Sequence, residues 1–147
     1  MKRIICLTVM LMTSIMMFAT HVPTKEKFYA ACDSLGIHHP NVVYAQACWE
    51  SGHFTSKIYR ERNNCLGIYD SVRKRYAYFD SWIDCLVAYK NRFQQKHLKD
   101  ETEENYWKRM EEIKNYTDEE YLLWVVSRGY ASDTNYLNNI RKMLKYI

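Results

Sequence analysis

The chain has 147 residues, 48% of them hydrophobic, and its 21 basic and 17 acidic side chains give it a net charge of +4. Removal of a leader that contains Lys2 and Arg3 lowers this charge to +2. A nearly neutral chain lacks the concentrated basic face that nucleic-acid binding usually requires, so we expect no nucleic-acid partner.

Residues 1–20 have the pattern of a secretory signal peptide. Lys2 and Arg3 precede an apolar run from Ile4 to Ala19, after which the sequence turns polar at Thr20. The run is short for a membrane-spanning helix, which needs about 20 apolar residues. Met17 is bulky where a cleavage site prefers a small residue, so an uncleaved N-terminal anchor is the alternative. We expect an exported protein whose only membrane contact would be this leader.

Residues 21–147 are expected to form one domain, because no linker, repeat or low-complexity tract divides them. Four cysteines remain in this part, Cys32, Cys48, Cys65 and Cys85, and they allow three disulfide pairings in an oxidising compartment. Their wide spacing contains no Cys-x-x-Cys pair, which argues against a zinc site. We expect Cys65 to be a small buried hydrophobic side chain.

Two helices are predicted in the first part of the domain, each followed by a glycine. The first runs from about Lys25 to Leu35 and ends at Gly36. The second runs from about Asn41 to Ser51, with Pro40 at its start and Gly52 at its end.

The remaining residues predict one β-hairpin and four helices. The hairpin lies between Leu66 and Phe79, with its turn at the charged residues 73–75. The helices follow from caps and apolar spacing: Ser81 to about His97, Asp100–Glu104 through Ile113, Thr117–Glu120 to Gly129, and a last helix capped by Asp133 or Thr134. We therefore predict a mainly α fold with one small hairpin.

Glu50 is the candidate for acid chemistry. It lies in the last turn of the second predicted helix, where the negative end of the helix dipole raises the pKa of a carboxyl group and favours a proton donor. Gln46 is four residues earlier on the same helix face. Phe54, just past the helix, is a candidate to line the site. The alternative is an ordinary solvent-facing glutamate.

Three motifs then occur in order along the chain: Ala45-Gln46-Ala47 with Glu50-Ser51-Gly52, Asn63-Asn64-x-x-Gly67, and Tyr130-Ala131-x-Asp133-x-x-Tyr136. Their order and spacing resemble those of the bacterial glucosaminidase domain of family 73 glycoside hydrolases, and the resemblance covers roughly residues 25–147. It implies a lysozyme-like α lobe with a small β lobe beside a cleft, and peptidoglycan glycan strands as the partner.

The resemblance also implies roles for individual side chains. Glu50 matches the general acid, and Tyr130 matches a tyrosine near the cleavage point that positions the substrate or stabilises charge. Tyr136 closes the same motif. It either contacts substrate or, with Asp133, caps and packs the helix beside Gly129.

The second catalytic group is left open. Some relatives carry a glutamate in the hairpin, whereas this sequence offers Asp70 before the turn and Asp80 after it, and either aspartate is equally a turn cap. Alternatively, the 2-acetamido group of the substrate assists and Glu50 works without a second carboxylate. Gln46 and Asn64 are candidates to bind N-acetyl groups, or else amides that stabilise loops.

Together, the motifs imply an endo-β-N-acetylglucosaminidase that cuts the β-1,4 bond after N-acetylglucosamine in peptidoglycan. We expect it to be a monomer in the periplasm or cell envelope and to need no metal or organic cofactor. A lytic transglycosylase is the alternative enzyme, although those proteins generally carry a Gly-Leu-Met-Gln-like segment where this chain has residues 63–67. A catalytically weak peptidoglycan-binding protein is a third possibility, because the hairpin glutamate is missing.

Overall fold

The computed structural model describes residues 22–133 and 135–147, so the predicted leader and Thr134 lie outside the described residues. In this part the chain forms seven α-helices, a short π-helical turn and a two-stranded antiparallel sheet. The elements are α1 Lys25–Leu35, α2 Pro40–Ser51, α3 Lys57–Arg62, β1 Tyr69–Asp70, β2 Arg75–Tyr76, α4 Trp82–Tyr89, the π-turn Lys90–Gln94, α5 Glu103–Asn115, α6 Asp118–Ser127 and α7 Tyr136–Leu144. The predicted mainly α, lysozyme-like class is confirmed.

Helix α2 is the central element of the core. Its buried positions are spread around the helix rather than along one stripe, and they comprise Val42, Val43, Ala45, Gln46, Ala47, Cys48 and Ser51. It packs against α1, α6 and α7. Gly52 ends the helix with a left-handed φ of 55°, which a glycine adopts at little cost. This end positions Glu50 at the boundary between the core and the surface.

Helix α3, between α2 and the Asn-Asn turn, was not predicted. Ser56 caps this helix by accepting a hydrogen bond from the backbone N–H of Tyr59 at 3.2 Å, and Asn63 ends it with a φ of 50°. One side chain of the short helix, Tyr59, is buried. The helix carries too few apolar residues for a periodic signal, and its Ser cap was the local cue.

The predicted hairpin is confirmed, with Tyr69 opposite Tyr76 and Asp70 opposite Arg75. Its turn contains Arg73 and Lys74, whereas Arg75 lies in β2, and Lys74 has a φ of 51°. The Asp70 carboxylate accepts backbone hydrogen bonds from Val72 at 3.1 Å and Arg73 at 3.0 Å. The turn is therefore stabilised by its own aspartate.

The prediction of one α-helix from Ser81 to His97 is wrong at its C-terminal end. Ser81 caps α4 as expected, but the α-helix ends at Tyr89 and continues as the π-turn to Gln94. The wider turn brings the side chain of Gln94 to the backbone of His38, which it contacts with both ends of its amide. A contact 56 residues away in the sequence thus changes the local helix type.

The last two helices begin differently. The capping box of α6 is confirmed, with Thr117 and Glu120 each bonded to the other's backbone N–H. Helix α7 has Asn135 at its N-cap without a side-chain cap bond. Asp133 instead accepts a hydrogen bond from the Asn135 N–H at 2.9 Å. Asp133 therefore shapes the turn that leads into α7.

All four cysteines in the described residues are buried free thiols, so none of the three possible pairings is formed. Cys65 is fully buried, as predicted. Burial raises the pKa of the Cys32 thiol to about 12. Across 22–133 and 135–147, no helix is long and apolar enough to cross a membrane.

Candidate active site

Glu50 lies at the C-terminal end of α2 and is half-buried. Burial raises the pKa of its carboxyl group, and a hydrogen bond with Tyr136 acts in the opposite direction. The predicted direction of the shift is confirmed, but the main cause is loss of hydration rather than the helix dipole. A carboxyl group in this environment keeps its proton to higher pH than an exposed one.

The turn at residues 63–67 lies directly against Glu50. Gly67 has a φ of 62°, and a Cβ atom built on it would lie 2.6 Å from Glu50 Oε2. Only a residue without a side chain leaves room for the carboxylate at this distance. The backbone conformation favours glycine here, and any larger residue would push the Glu50 carboxylate out of its present position.

Asn64 stabilises this turn from within. It is 1% exposed, and its Nδ2 donates to the backbone oxygens of Ile68 at 2.8 Å and Ala77 at 3.1 Å. Its Oδ1 accepts from the Ile68 N–H at 2.9 Å. Of the two roles considered for Asn64, the contacts are those of a loop-stabilising amide that ties the turn to the hairpin.

Tyr130 connects the C-terminal motif to the same turn. Its hydroxyl donates to the backbone oxygen of Leu66 at 2.7 Å. Its ring packs edge-on against Phe93 and Tyr89, with centroids 4.9 and 5.7 Å away. The half-buried Tyr130 lies near Glu50: burial raises the pKa of the Tyr130 hydroxyl, and the charges of Tyr136 and then Glu50 raise it further.

Gln46 and Tyr136 lie beneath the carboxyl group. Tyr136 is 3% exposed, and its hydroxyl is close enough to Glu50 to lower the pKa of that carboxyl group. Gln46 is fully buried, and its Nε2 donates to the Tyr136 hydroxyl at 3.3 Å. In this structure the Gln46 amide faces the protein interior, so its contacts are with tyrosines rather than with an open surface.

The structure does not bring Asp70 and Phe54 into this group. Among the described residues, the polar contacts of Asp70 are within its own hairpin and include a 2.9 Å ion pair with Arg73, and these contacts lower the pKa of the Asp70 carboxyl group. Phe54 is 3% exposed and packs in an aromatic cluster with Phe28, Tyr44 and Tyr59. Phe54 is therefore a core side chain, and its role in lining the substrate surface stays a prediction.

Three polar residues near the site were not singled out from the sequence: Tyr89, Gln94 and Tyr121. Each is at most 1% exposed and belongs to a continuous set of hydrogen bonds that reaches Gln46. The available signal was weak, because tyrosines at helical spacing usually belong to the core. In the described ranges no group of three or more His, Cys, Asp or Glu residues is placed to hold a metal ion.

A mainly helical domain that holds a half-buried carboxyl group with a raised pKa at a helix end, against a glycine turn, has the architecture of a lysozyme-like glycoside hydrolase. Residues 25–147 match the family model Glucosaminidase, described as mannosyl-glycoprotein endo-beta-N-acetylglucosaminidase. The chain belongs to this family, which supports glycoside hydrolase activity on a peptidoglycan-type substrate as its general function. The comparisons with curated proteins and with solved structures gave no match.

Proposed function

We propose that the protein is an endo-β-N-acetylglucosaminidase that hydrolyses the β-1,4 bond after N-acetylglucosamine in peptidoglycan. The observation that carries this proposal is the half-buried Glu50, whose pKa is raised by burial and whose carboxylate lies against Gly67. In its protonated form Glu50 donates to the glycosidic oxygen as the C1–O bond breaks. The packed pair Tyr130 and Tyr136, with ring centroids 5.7 Å apart, positions the Glu50 carboxyl group, and the half-buried Tyr130 also positions the substrate.

The nucleophile that attacks C1 is either the 2-acetamido group of the substrate or Asp70. The contacts of Asp70 favour the 2-acetamido group, since the Asp70 carboxylate already accepts three hydrogen bonds within the turn. In that route the 2-acetamido oxygen bonds to C1, and water then opens the cyclic intermediate while Glu50 accepts the proton of the water. One carboxyl group then serves both steps.

The hairpin is the surface proposed to contact the polymer. The rings of Tyr69 and Tyr76 lie edge to face at 5.8 Å and are 45% and 42% exposed. The exposed cations Lys74 and Arg75 lie at its turn and form no ion pair among the described residues. Aromatic faces suit sugar rings, and cations suit the carboxylates of the stem peptides. We also propose export to the periplasm or cell envelope as a monomer.

The test is digestion of purified peptidoglycan by the wild type and by Glu50→Gln, which preserves shape but has no proton to donate. New N-acetylglucosamine reducing ends with the wild type, and none with the variant, are the expected products. Anhydro-muramyl ends would instead identify a lytic transglycosylase. Equal digestion by both proteins would contradict the role of Glu50, and retention of peptidoglycan by both without any digestion would identify a binding protein.

A further inference from the structure

A continuous row of buried hydrogen bonds runs from the backbone of His38 to the hydroxyl of Tyr136, which interacts with Glu50. It passes through the side chains of Gln94, Tyr121, Tyr89, Gln46 and Tyr136, each at most 3% exposed. These residues come from the π-turn and from helices α6, α4, α2 and α7. We infer that Gln94, Tyr121 and Tyr89 are positioning residues that fix the direction of every hydrogen bond in this row and so aim the Tyr136 hydroxyl at Glu50.

The direction is set at the Gln94 end. The Oε1 of Gln94 accepts from the His38 N–H at 3.1 Å, and its Nε2 donates to the His38 carbonyl at 3.0 Å. This double contact with a backbone N–H and a backbone C=O decides which end of the amide is nitrogen, because a flipped amide would face donor with donor. The second Nε2 hydrogen therefore points to the Tyr121 hydroxyl, 2.7 Å away.

The two tyrosines transmit this direction. The oxygens of Tyr121 and Tyr89 are 2.9 Å apart, and that distance alone leaves the donor undecided. Tyr89 donates its single proton to the Oε1 of Gln46 at 2.9 Å, so the proton between the two tyrosines comes from Tyr121, which in turn accepts from Gln94. The Gln46 amide is thereby oriented with Nε2 toward Tyr136.

The row ends beside the candidate acid. Tyr136 accepts from Gln46, so its hydroxyl proton is available for an acceptor on the other side. Glu50 and Tyr130 both affect the pKa of the Tyr136 hydroxyl, and the proton of Tyr130 is donated to the Leu66 carbonyl. The ionised carboxylate is the stronger acceptor, because hydrogen bonds to charged groups are roughly twice as strong as those between neutral ones.

Burial keeps the row intact. It raises the pKa of the hydroxyl groups of Tyr89, Tyr121 and Tyr136, so each stays protonated and retains one donor and one acceptor. Glu50 is consequently the group in the row that gains and loses a proton in the working pH range. Removing one hydroxyl from the middle leaves a buried partner unsatisfied and allows the Gln46 amide to turn over.

This inference rests on the proposed role of Glu50 as the acid, and the variants Tyr89→Phe and Tyr121→Phe test it. Kinetics on soluble peptidoglycan strands should show kcat reduced about 3- to 10-fold for Tyr89→Phe, with little change in KM. This range corresponds to the free energy of one hydrogen bond. Tyr121→Phe should reduce kcat less, because Tyr89 can still donate to Gln46. The alkaline limb of the pH profile should move to higher pH, since ionised Glu50 loses a donor. Tyr106→Phe, which removes a hydroxyl from a buried ring outside the row, is the matched control.

A double variant separates positioning from general stability. In a Tyr136→Phe background the kcat effect of Tyr89→Phe should vanish, because the row no longer reaches Glu50. An equal loss in both backgrounds, or a folded Tyr89→Phe protein with wild-type kcat and pH profile, would overturn the inference. Glu50→Gln is assayed in parallel. If Glu50→Gln is active, the proposed function is rejected. If Glu50→Gln is inactive and Tyr89→Phe behaves like the wild type, only the inference about the positioning residues is rejected.

A measurement on the wild-type protein avoids the question of whether the variants fold. Side-chain amide resonances of Gln46 and Gln94 can be followed by NMR while Glu50 is titrated. Both amides should shift with the Glu50 titration, and the response should be larger at Gln46, which is nearer in the row. Absence of a coupled shift at Gln46 would overturn the inference.

Discussion

The missing side chain of Gly67 makes room for the carboxylate of Glu50, since a Cβ atom at residue 67 would lie 2.6 Å from Glu50 Oε2. The turn and the helix end are therefore fitted to each other. Because the turn contacts the carboxylate, a shift of the turn would also displace the candidate acid. The size of residue 67 therefore affects the position of the catalytic group.

Gly67→Ala should lower kcat/KM by up to about 100-fold, as expected when a catalytic group is displaced by about 1 Å. Gly36→Ala is a matched control, because Gly36 has a φ of 63° and its added Cβ would meet the first atom at 3.7 Å. Both substitutions should cost roughly 1–2 kcal/mol of stability for a left-handed alanine. Equal kcat/KM values for the two variants in a wall-digestion assay would contradict the steric role of Gly67.

Glu50→Gln should be more stable than the wild type at neutral pH. Burial raises the pKa of Glu50 above its unfolded value, so the charged form is disfavoured in the folded state and stability is lost as pH rises through the folded pKa. The variant has no such loss, and its Tm should exceed that of the wild type at pH 8 and converge with it at about pH 4, near the unfolded pKa of a glutamate. Thermal melts across this range measure the difference, and a lower Tm for the variant at pH 8 would oppose the assignment of desolvation as the cause.

Asp70→Asn should leave hydrolysis close to the wild-type rate, because an asparagine side chain still accepts the backbone hydrogen bonds of Val72 and Arg73. Removal of a true base or nucleophile costs at least about 10²- to 10⁴-fold. Reducing-end assays on peptidoglycan distinguish these outcomes. A loss of that size in a folded protein would assign the second catalytic role to Asp70 and reject the substrate-assisted route.

Lys74→Gln with Arg75→Gln should weaken binding to isolated cell walls and reduce its dependence on salt, because two exposed cations of the hairpin are removed. Lys108→Gln, on the exposed surface of α5, is the control of the same chemistry. Cosedimentation with peptidoglycan at low and high ionic strength gives the comparison. Identical salt dependence in all three proteins would show that the hairpin does not contact the acidic groups of the wall.

The loop before α5 should be sensitive to acid through Glu101. Arg109 binds its carboxylate with two hydrogen bonds of 2.7 Å, and this contact lowers the pKa of Glu101 to about 2. A lowered pKa contributes stability above the unfolded value of 4.5, and that contribution is lost as pH falls from 4.5 toward 2. Glu101→Gln should therefore lower Tm at pH 7 but not at pH 2. Glu104→Gln, at an exposed position of α5, should leave Tm unchanged at both pH values.

Local features were predictable because their causes lie within a few residues. The capping box of Thr117 and Glu120 spans three positions, and the glycine after α2 ends the helix through its own φ. The hairpin and its charged turn were predictable for the same reason. Glu50 was found because its motif and its place in the last helical turn are both written in consecutive residues.

The features that the local pattern did not predict depend on distant partners. Tyr89 meets Gln46 across 43 residues and Tyr121 across 32, and no periodicity in either segment signals these contacts. The π-turn at Gln94 has the same origin, because its amide bonds the backbone of His38. Phe54 was assigned to the site by closeness in sequence, whereas packing with Phe28, Tyr44 and Tyr59 decided its position.

By itself, the sequence determined the helical class, the candidate acid, the glycine turn and the family resemblance, because these depend on residue identity and on short spacings. Tertiary structure alone decided that Glu50 is half-buried, that Gly67 lies against its carboxylate and that a row of buried hydroxyl and amide groups ends at Tyr136. The physical reason is that hydration and hydrogen-bond direction are properties of the space around a side chain, and the folded chain creates that space from residues far apart in the sequence.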